Sequence, residues 1–120
     1  MGQTVTDPVD WAITAARAAA SKTDERTVVL DVGKVLSIAG WFVITSGSNP
    51  RQVRTIAEEI EAKVAEHGGP RPIRIEGADA RQWILMDYGD FIVHVFLNEV
   101  RDFYDLERLW ADVDTVEWGP

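Results

Sequence analysis

Asp87, Asp90 and His94 bring two carboxylates and an imidazole together in the stretch DYGDFIVHVF, residues 87–96. Such groups bind metal ions and transfer protons, so they could form a metal or catalytic site. If residues 90–96 are a strand, Asp90 and His94 share a face with Cα atoms about 13 Å apart. Ligands of one zinc ion lie closer together, and two aspartates alone hold a hard cation weakly. The spacing therefore argues against a metal site and predicts that His94 is a hydrogen-bonded histidine at a sheet edge or an interface.

A second candidate site is the stretch TSGSNPRQ, residues 45–52, where a glycine step at the end of a predicted strand leads into a helix N-terminus. Backbone N–H groups in such a place can bind phosphate. Nucleotidyltransferases have a similar Gly-Ser turn, but their chemistry also needs paired acids on a neighbouring strand to hold magnesium. Here Glu58 and Glu59 fall in a predicted helix, where adjacent side chains point about 100° apart. We interpret the stretch as a strand-to-helix connection, and a nucleotide-binding enzyme using residues 46–48 remains an alternative.

The composition offers little for nucleophilic catalysis, because the chain has no cysteine, two histidines and no Gly-x-Ser-x-Gly motif. Nothing in the sequence therefore recommends a nucleophilic active site, and no cofactor is expected. Twelve basic and twenty acidic side chains give a formal net charge of -8. A field of that sign repels phosphate backbones and attracts basic proteins. The charge predicts a basic protein partner and little direct contact with nucleic acid.

Length and hydropathy predict one soluble domain. The 120 residues, of which 46% are hydrophobic, suffice for a single core, expected at about residues 7–112 with a short tail at 113–120. No run approaches the roughly 18 apolar residues of a membrane helix. The N-terminus carries no leader pattern, which favours the cytoplasm, and the match of residues 1–6 to a short myristoylation pattern is attributed to chance.

Start and stop signals bound the predicted helices. Asp7 and Pro8 begin a helix over residues 8–21, and Asn49 caps a second helix that starts at Pro50. The second helix has an apolar residue at every third or fourth position and ends at a Gly-Gly-Pro sequence. A third helix over residues 101–110 is predicted to turn Phe103, Leu106, Leu109 and Trp110 inward and to leave Arg101, Tyr104 and Arg108 nearer the other side.

Runs of β-branched and apolar residues predict five strands, and a tight turn at Tyr88-Gly89 joins the last two as a hairpin. The element order is then α-β-β-α-β-β-β-α. This order predicts an α/β domain with a mixed five-stranded sheet flanked by helices, in a topology like that of nucleotidyltransferases. The predicted strands are residues 27–32, 41–45, 72–76, 82–87 and 90–96.

Aromatic and acidic residues cluster around the predicted hairpin. Trp83 and Asp87 share one strand face, on either side of Leu85. Trp and Tyr anchor protein interfaces, and carboxylates meet basic side chains there. In the alternative interpretation, Trp83 belongs to the core and the aspartates only form the turn. The cluster consists of Glu76, Trp83, Asp87, Tyr88 and Asp90.

Four blocks of the sequence resemble one known family, the ribosomal silencing factors or Iojap-like proteins. They cover most of residues 30–110 in the order and spacing of that family. The blocks are LDVGKVLSIAGWFVITSGSNPRQV, IRIEG with the tryptophan that follows at Trp83, MDYGDFIVHVF and RDFYDLERLW.

The resemblance implies a small α/β protein without enzymatic activity. Such a protein docks on the large ribosomal subunit through ribosomal protein fourteen, blocks the joining of the small subunit, and lowers translation when nutrients are short. A dimeric adaptor for another basic protein is the remaining non-enzymatic alternative. By motif, the resemblance places the partner-binding surface at Glu76, Trp83, Asp87, Tyr88, Asp90, His94 and Phe96.

The chain departs from the family pattern at one position. Gly40 stands before Trp41-Phe42, where the family usually has aspartate, so no polar role is assigned there. The resemblance also implies a tendency to dimerise, and Trp41, Tyr104 and Trp118 are the aromatics proposed for self-association.

Overall fold

The computed structural model describes residues 7–119 of the chain. The predicted element order is confirmed, with the last helix divided into two, and the myristoylation pattern at residues 1–6 lies outside the described part. No described helix is both long and apolar enough to cross a membrane. The elements are α1 (Pro8–Ala20), β1 (Val28–Asp31), β2 (Trp41–Gly47), α2 (Pro50–Glu66), β3 (Arg74–Glu76), β4 (Trp83–Asp87), β5 (Phe91–Leu97), α3 (Asn98–Tyr104) and α4 (Leu106–Leu109).

The five strands form one mixed sheet, as the sequence predicted, and their order in it is β1-β2-β5-β4-β3. β2 and β5 are parallel neighbours in its middle, and the other neighbouring pairs are antiparallel. A parallel pair needs a long crossover connection, and the segment from α2 to β4 supplies it. β5 is therefore an inner strand paired on both sides, whereas β3 is an edge.

Both long helices pack on the same side of the sheet, which we call the helix side. Asn49 Oδ1 accepts a hydrogen bond of 2.9 Å from the backbone N–H of Gln52, and Pro50 takes the first helical position of α2. The buried residues of α1 are alanines, so this helix lies close to its neighbours. The core on this side contains Ala12, Ala15, Ala16 and Ala19 of α1 and Val53, Ile56, Ile60 and Val64 of α2, among others.

The opposite side of the sheet has a smaller core. Phe42, Ile44 and Phe96 are buried there, with half-buried Leu106 and Trp110 packed against them. The cover does not extend over the far strands, because every residue of β3 is exposed and β4 alternates between half-buried and buried positions. This alternation puts Ile84 and Met86 in the helix-side core and Trp83, Leu85 and Asp87 on the opposite side.

The last helix differs from the prediction. Asp105 adopts the left-handed conformation with φ of 50° between α3 and α4, and this break changes the helical phase. Phe103 and Leu109, predicted to face inward, are therefore 80% and 75% exposed. Leu106 and Trp110 do pack against the smaller core, as predicted.

Arg101, predicted to lie nearer the other side of that helix, is buried. Its guanidinium donates hydrogen bonds to Ser46 Oγ at 2.9 Å and to the Arg26 carbonyl oxygen at 2.6 Å. Glu107 neutralises it, with an Nε to Oε1 distance of 2.9 Å, and also pairs with Arg26. The prediction was wrong because these partners lie far from Arg101 in the sequence or beyond the helix break.

Residues 113–119, predicted to be a tail, pack along β1. The Val116 N–H donates to the Val29 carbonyl oxygen at 2.8 Å. Trp118 packs against the helix-side core, and its indole N–H donates to the Thr27 carbonyl oxygen at 2.9 Å. The segment therefore packs against the core and is not a free tail, contrary to the prediction. The sequence did not show this, because the segment is too short to have a periodic pattern of its own.

Candidate protein-binding surface

The hairpin of β4 and β5 closes at a two-residue turn. Gly89 takes a φ of 87°, a conformation that glycine adopts at little cost. The Tyr88 N–H donates to the Phe91 carbonyl oxygen at 3.0 Å, and the Gly89 N–H donates to Asp87 Oδ1 at 2.8 Å. Half-buried Asp87 and exposed Asp90 thus lie at the end of the hairpin, and Asp87 also stabilises the turn.

β4 and β3 place a mixed set of side chains on the uncovered side of the sheet. In the strand register, Arg74 lies opposite Asp87 and Glu76 lies opposite Leu85. Arg74 Nε is 3.1 Å from Glu76 Oε2 and 3.7 Å from Asp87 Oδ2. These exposed ion pairs contribute little to stability, so their charges remain available to a partner. We call this surface the open face, and its members are Arg74, Glu76, Trp83, Leu85 and Asp87.

Trp83 is the largest side chain of the open face and is half-buried. Its ring centroid lies 4.8 Å from that of Phe96 and 5.0 Å from that of Tyr104. Its indole N–H donates a hydrogen bond of 3.2 Å to His94 Nδ1. Trp83 is therefore held in one orientation and still offers apolar ring surface to a partner.

Three of the residues predicted to contact a partner are buried. Tyr88 and His94 are each 4% exposed, and Phe96 is 0% exposed. Tyr88 faces the helix-side core and stacks on Phe91 with a centroid distance of 4.6 Å. His94 and Phe96 lie in β5, which has a strand on each side and is not an edge. Their burial argues against direct contact with a partner, and the expected position of His94 at a sheet edge is wrong.

Both ionisable residues are neutral at physiological pH, and burial widens the pH range over which they stay neutral. Burial raises the pKa of the Tyr88 phenol, and the negative charge of Glu61 raises it further. Burial lowers the pKa of His94 to about 4. The His94 ring meets the Phe42 ring edge-on, with a centroid distance of 4.7 Å. Neither group is placed to exchange protons with a substrate.

The loop between β1 and β2 contacts the hairpin turn at Gly40. The Gly40 N–H donates to the Asp90 carbonyl oxygen at 2.8 Å. A Cβ atom at Gly40 would lie 3.4 Å from that oxygen, which is an ordinary contact. The backbone therefore leaves room for a Cβ atom, and the position does not require glycine.

Three apolar side chains on α3 and α4 are exposed, and two of them, Phe103 and Tyr104, extend the surface beside Trp83, to which the sequence did not assign them. Phe103, Tyr104 and Leu109 are 80%, 50% and 75% exposed. Phe103 packs edge-on against Tyr104, which in turn contacts Trp83. No local pattern marks Phe103 as exposed, because its position depends on the break at Asp105. The signal for Arg74, also missed, was its two-residue spacing from Glu76 in a predicted strand.

The aromatics proposed for self-association differ in their exposure. Trp41 and Trp118 are both partly buried against the helix-side core. Tyr104, at 50% exposed, has the most free surface of the three.

The Gly-Ser turn is filled by its own side chains. Gln52 Oε1 accepts hydrogen bonds from the Ser48 backbone N–H at 2.7 Å and from the Ser48 hydroxyl at 3.0 Å. A Cβ atom at Gly47 would lie 3.1 Å from the Gln52 side chain, and Ser46 is 1% exposed. Both donors of Ser48 are thus used internally. Within residues 7–119, no three His, Asp or Glu side chains are grouped so that they could hold a metal ion.

Comparison with known proteins identifies the family of the chain and agrees with its fold. A sequence model of the family described as "Ribosomal silencing factor during starvation" matches residues 6–119. The chain belongs to the ribosomal silencing factor family. A ribosomal silencing factor from Halalkalibacterium halodurans is 41% identical over 103 residues, which are 86% of this chain and 87% of that protein. Family membership makes the chain a ribosome-associated regulator of translation.

Two further relatives of this ribosomal silencing factor extend the comparison. A crystal structure of a protein from Chromobacterium violaceum superposes with a TM-score of 0.82 at 31% identity and covers 88% of each chain. It confirms the single α/β domain. A mouse protein named "Mitochondrial assembly of ribosomal large subunit protein 1" is 33% identical over 86 residues, which are 69% of this chain and 37% of the mouse protein.

Proposed function

We propose that this chain binds the large ribosomal subunit through ribosomal protein fourteen and thereby blocks joining of the small subunit. It represses translation in this way when nutrients are short. Family membership supports the proposal, and the name of the mouse relative refers to the large ribosomal subunit. The described part of the chain measures 46 × 31 × 28 Å. A body of that size bound beside the joining surface occupies volume that the small subunit needs.

The open face is the single observation that carries this proposal. It combines a half-buried tryptophan with carboxylates of Glu76 and Asp87, and Asp90 lies at the end of the same hairpin. Aromatic anchors surrounded by charged groups are typical of protein interfaces. With a net charge of -8, the complementary surface is that of a basic protein rather than of ribosomal RNA.

The proposed action needs no chemistry, and it takes place in the cytoplasm. The filled Gly-Ser turn favours a structural connection over a nucleotide site. The protein thus acts by excluding a volume, without a cofactor or a metal ion, and it has no role at a membrane. Calorimetry with ATP, CTP and magnesium tests the enzymatic alternative, and binding heat from any of them would favour that alternative.

The first experiment mixes the purified protein with separated ribosomal subunits at near-physiological magnesium and follows subunit joining by sucrose-gradient sedimentation. We expect the protein to co-migrate with the large subunit and the peak of joined ribosomes to fall. An unchanged joined peak, with the protein remaining at the top of the gradient, would contradict the proposal. Capture of a different basic protein in a lysate pulldown, without ribosomes, would support the adaptor alternative.

Charge reversal on the open face tests where the partner binds. Glu76→Lys should weaken binding to the large subunit and slow association, because a lysine on the open face repels the basic partner that the glutamate attracts. The effect should be greater at low salt, where charges are less screened. Glu58→Lys is the matched control. Both glutamates are exposed, and each pairs with one arginine: Glu76 with Arg74, and Glu58 with Arg54. Asp87→Asn removes the charge and keeps an oxygen to accept the Gly89 N–H. Equal binding by Glu76→Lys and Glu58→Lys would show that the partner binds somewhere other than the open face.

A further inference from the structure

We infer that His94 is a positioning residue, whose imidazole fixes the orientation of Trp83 on the open face and prepares it to bind the partner. The inference rests on the proposed function, because Trp83 is taken as an anchor of the interface. His94 itself is buried and does not touch a partner. It acts through Trp83 alone.

The hydrogen bond between the two rings defines the tautomer of His94. An indole N–H can only donate, so His94 Nδ1, 3.2 Å from Trp83 Nε1, must be the acceptor. In the neutral imidazole the proton then lies on Nε2. His94 Nε2 is buried, and it has no hydrogen-bond partner among residues 7–119.

The surroundings of His94 give a histidine no other advantage. In the sheet it lies between Ile44 of β2 and Leu85 of β4, and its ring packs near Phe42 and Phe96. An unpaired buried N–H destabilises the folded protein, whereas an aliphatic side chain of similar size would pack there without that penalty. The fold alone therefore favours an apolar residue at this position. What histidine adds is an acceptor for the indole.

Trp83 needs such an acceptor because its other contacts do not fix its orientation. The ring planes of Phe96 and Tyr104 are tilted by 36° and 49° from that of Trp83. These apolar contacts stabilise the Trp83 indole equally well in two orientations, the observed one and one rotated by about 180° in nearly the same plane, because hydrophobic contact is not directional. The hydrogen bond to His94 distinguishes the two, because only one of them points the N–H inward. A fixed anchor loses less freedom on binding, which strengthens the complex.

Two substitutions at His94 separate positioning from stability. His94→Leu keeps an apolar side chain of similar size and removes the acceptor. We expect an unchanged or higher unfolding midpoint in urea and large-subunit binding weakened about fivefold, the effect of one hydrogen bond. His94→Asn removes most of the ring but keeps an oxygen close to the place of Nδ1. It should lower the midpoint and still bind more tightly than His94→Leu.

A spectroscopic signature follows the orientation in the free protein. The indole ¹⁵N–¹H resonance of Trp83, assigned by its loss in Trp83→Phe, should exchange slowly with water in the wild type. In His94→Leu it should shift and exchange much faster, and in His94→Asn it should stay protected. An unchanged indole resonance in His94→Leu would overturn the inference, whatever happens to ribosome binding.

A double-mutant cycle keeps the inference testable if His94→Asn does not fold. Trp83→Phe removes the indole N–H, so adding His94→Leu to it should not weaken large-subunit binding further. Equal losses from His94→Leu in both backgrounds would assign His94 a merely structural role. If Trp83→Ala leaves binding to the large subunit intact, the proposed interface fails. The resonance still reports in that case whether His94 orients Trp83.

Discussion

The two sides of the sheet differ in how completely they are covered. On the helix side, two long helices cover the strands, and Val43, Val93 and Val95 are completely buried. On the other side, α3, α4 and neighbouring loops cover the sheet only as far as β5 and leave the open face. Buried His94 and Arg101 both lie on this second side, where each hydrogen-bonds to another side chain. The helix side thus holds the closed core, and the other side leaves the surface that we propose binds the partner.

The largest expected effect is on stability and contrasts one residue from each side. Ile56→Ala on α2 should lower the free energy of unfolding by about 2–5 kcal/mol, because it leaves a cavity in a closed core. Leu85→Ala on the open face should cost about 1 kcal/mol, because that side chain is only half-buried. Urea unfolding followed by circular dichroism measures both. Equal losses would show that the open face is as much a part of the core as the helix side.

The next effect depends on pH and belongs to the second side alone. Burial lowers the pKa of His94 to about 4 in the folded protein. As the pH falls, the unfolded chain therefore protonates this histidine below about pH 6.5, whereas the folded chain protonates it only near pH 4. This contribution to stability is complete above pH 6.5 and is lost as the pH falls. Between pH 7 and 4.5 the wild type should lose about 2 kcal/mol more than His94→Leu. Parallel losses in the two proteins would mean that His94 is not buried as described.

The smallest effect sharpens the limits of the binding surface. Phe103→Ala should change the free energy of unfolding by less than about 0.5 kcal/mol, because this ring is 80% exposed. It should nevertheless weaken binding to the large subunit by about 1 kcal/mol, since Phe103 continues the apolar surface from Tyr104 and Trp83. Ile75→Ala, on the helix side of the edge strand, is the control and should bind normally. Normal binding by Phe103→Ala would indicate that the binding surface is limited to β3 and β4 and does not include α3.

The elements of the fold were largely predictable from the sequence, because their signals are local. Asn49 and Pro50 mark the start of α2, and Gly89 marks the hairpin turn, through contacts within a few residues. The break at Asp105 was missed, because aspartate can adopt the left-handed conformation but its presence in a sequence does not predict it. Leu109 was then wrongly assigned to the inner face, whereas Leu106 and Trp110 pack inward as predicted.

The candidate surface was only partly predictable. Trp83, Asp87 and Glu76 lie on one side of the sheet, as strand alternation and the hairpin suggested. Tyr88, which is adjacent to Asp87, faces the opposite side and is buried. Whether these residues bind a partner stays a prediction for the experiments above.

The sequence by itself determined the helices, the strands, the hairpin turn, the acidic charge and the family resemblance, because each depends on residues close together in the chain or on composition. The tertiary structure decided which strand faces are covered. His94 and Phe96 are buried because β5 pairs with β2 and β4, and Arg101 is buried because Ser46 and Arg26 surround it. Burial depends on neighbours that come from distant parts of the chain, and local sequence patterns do not predict which residues those neighbours are.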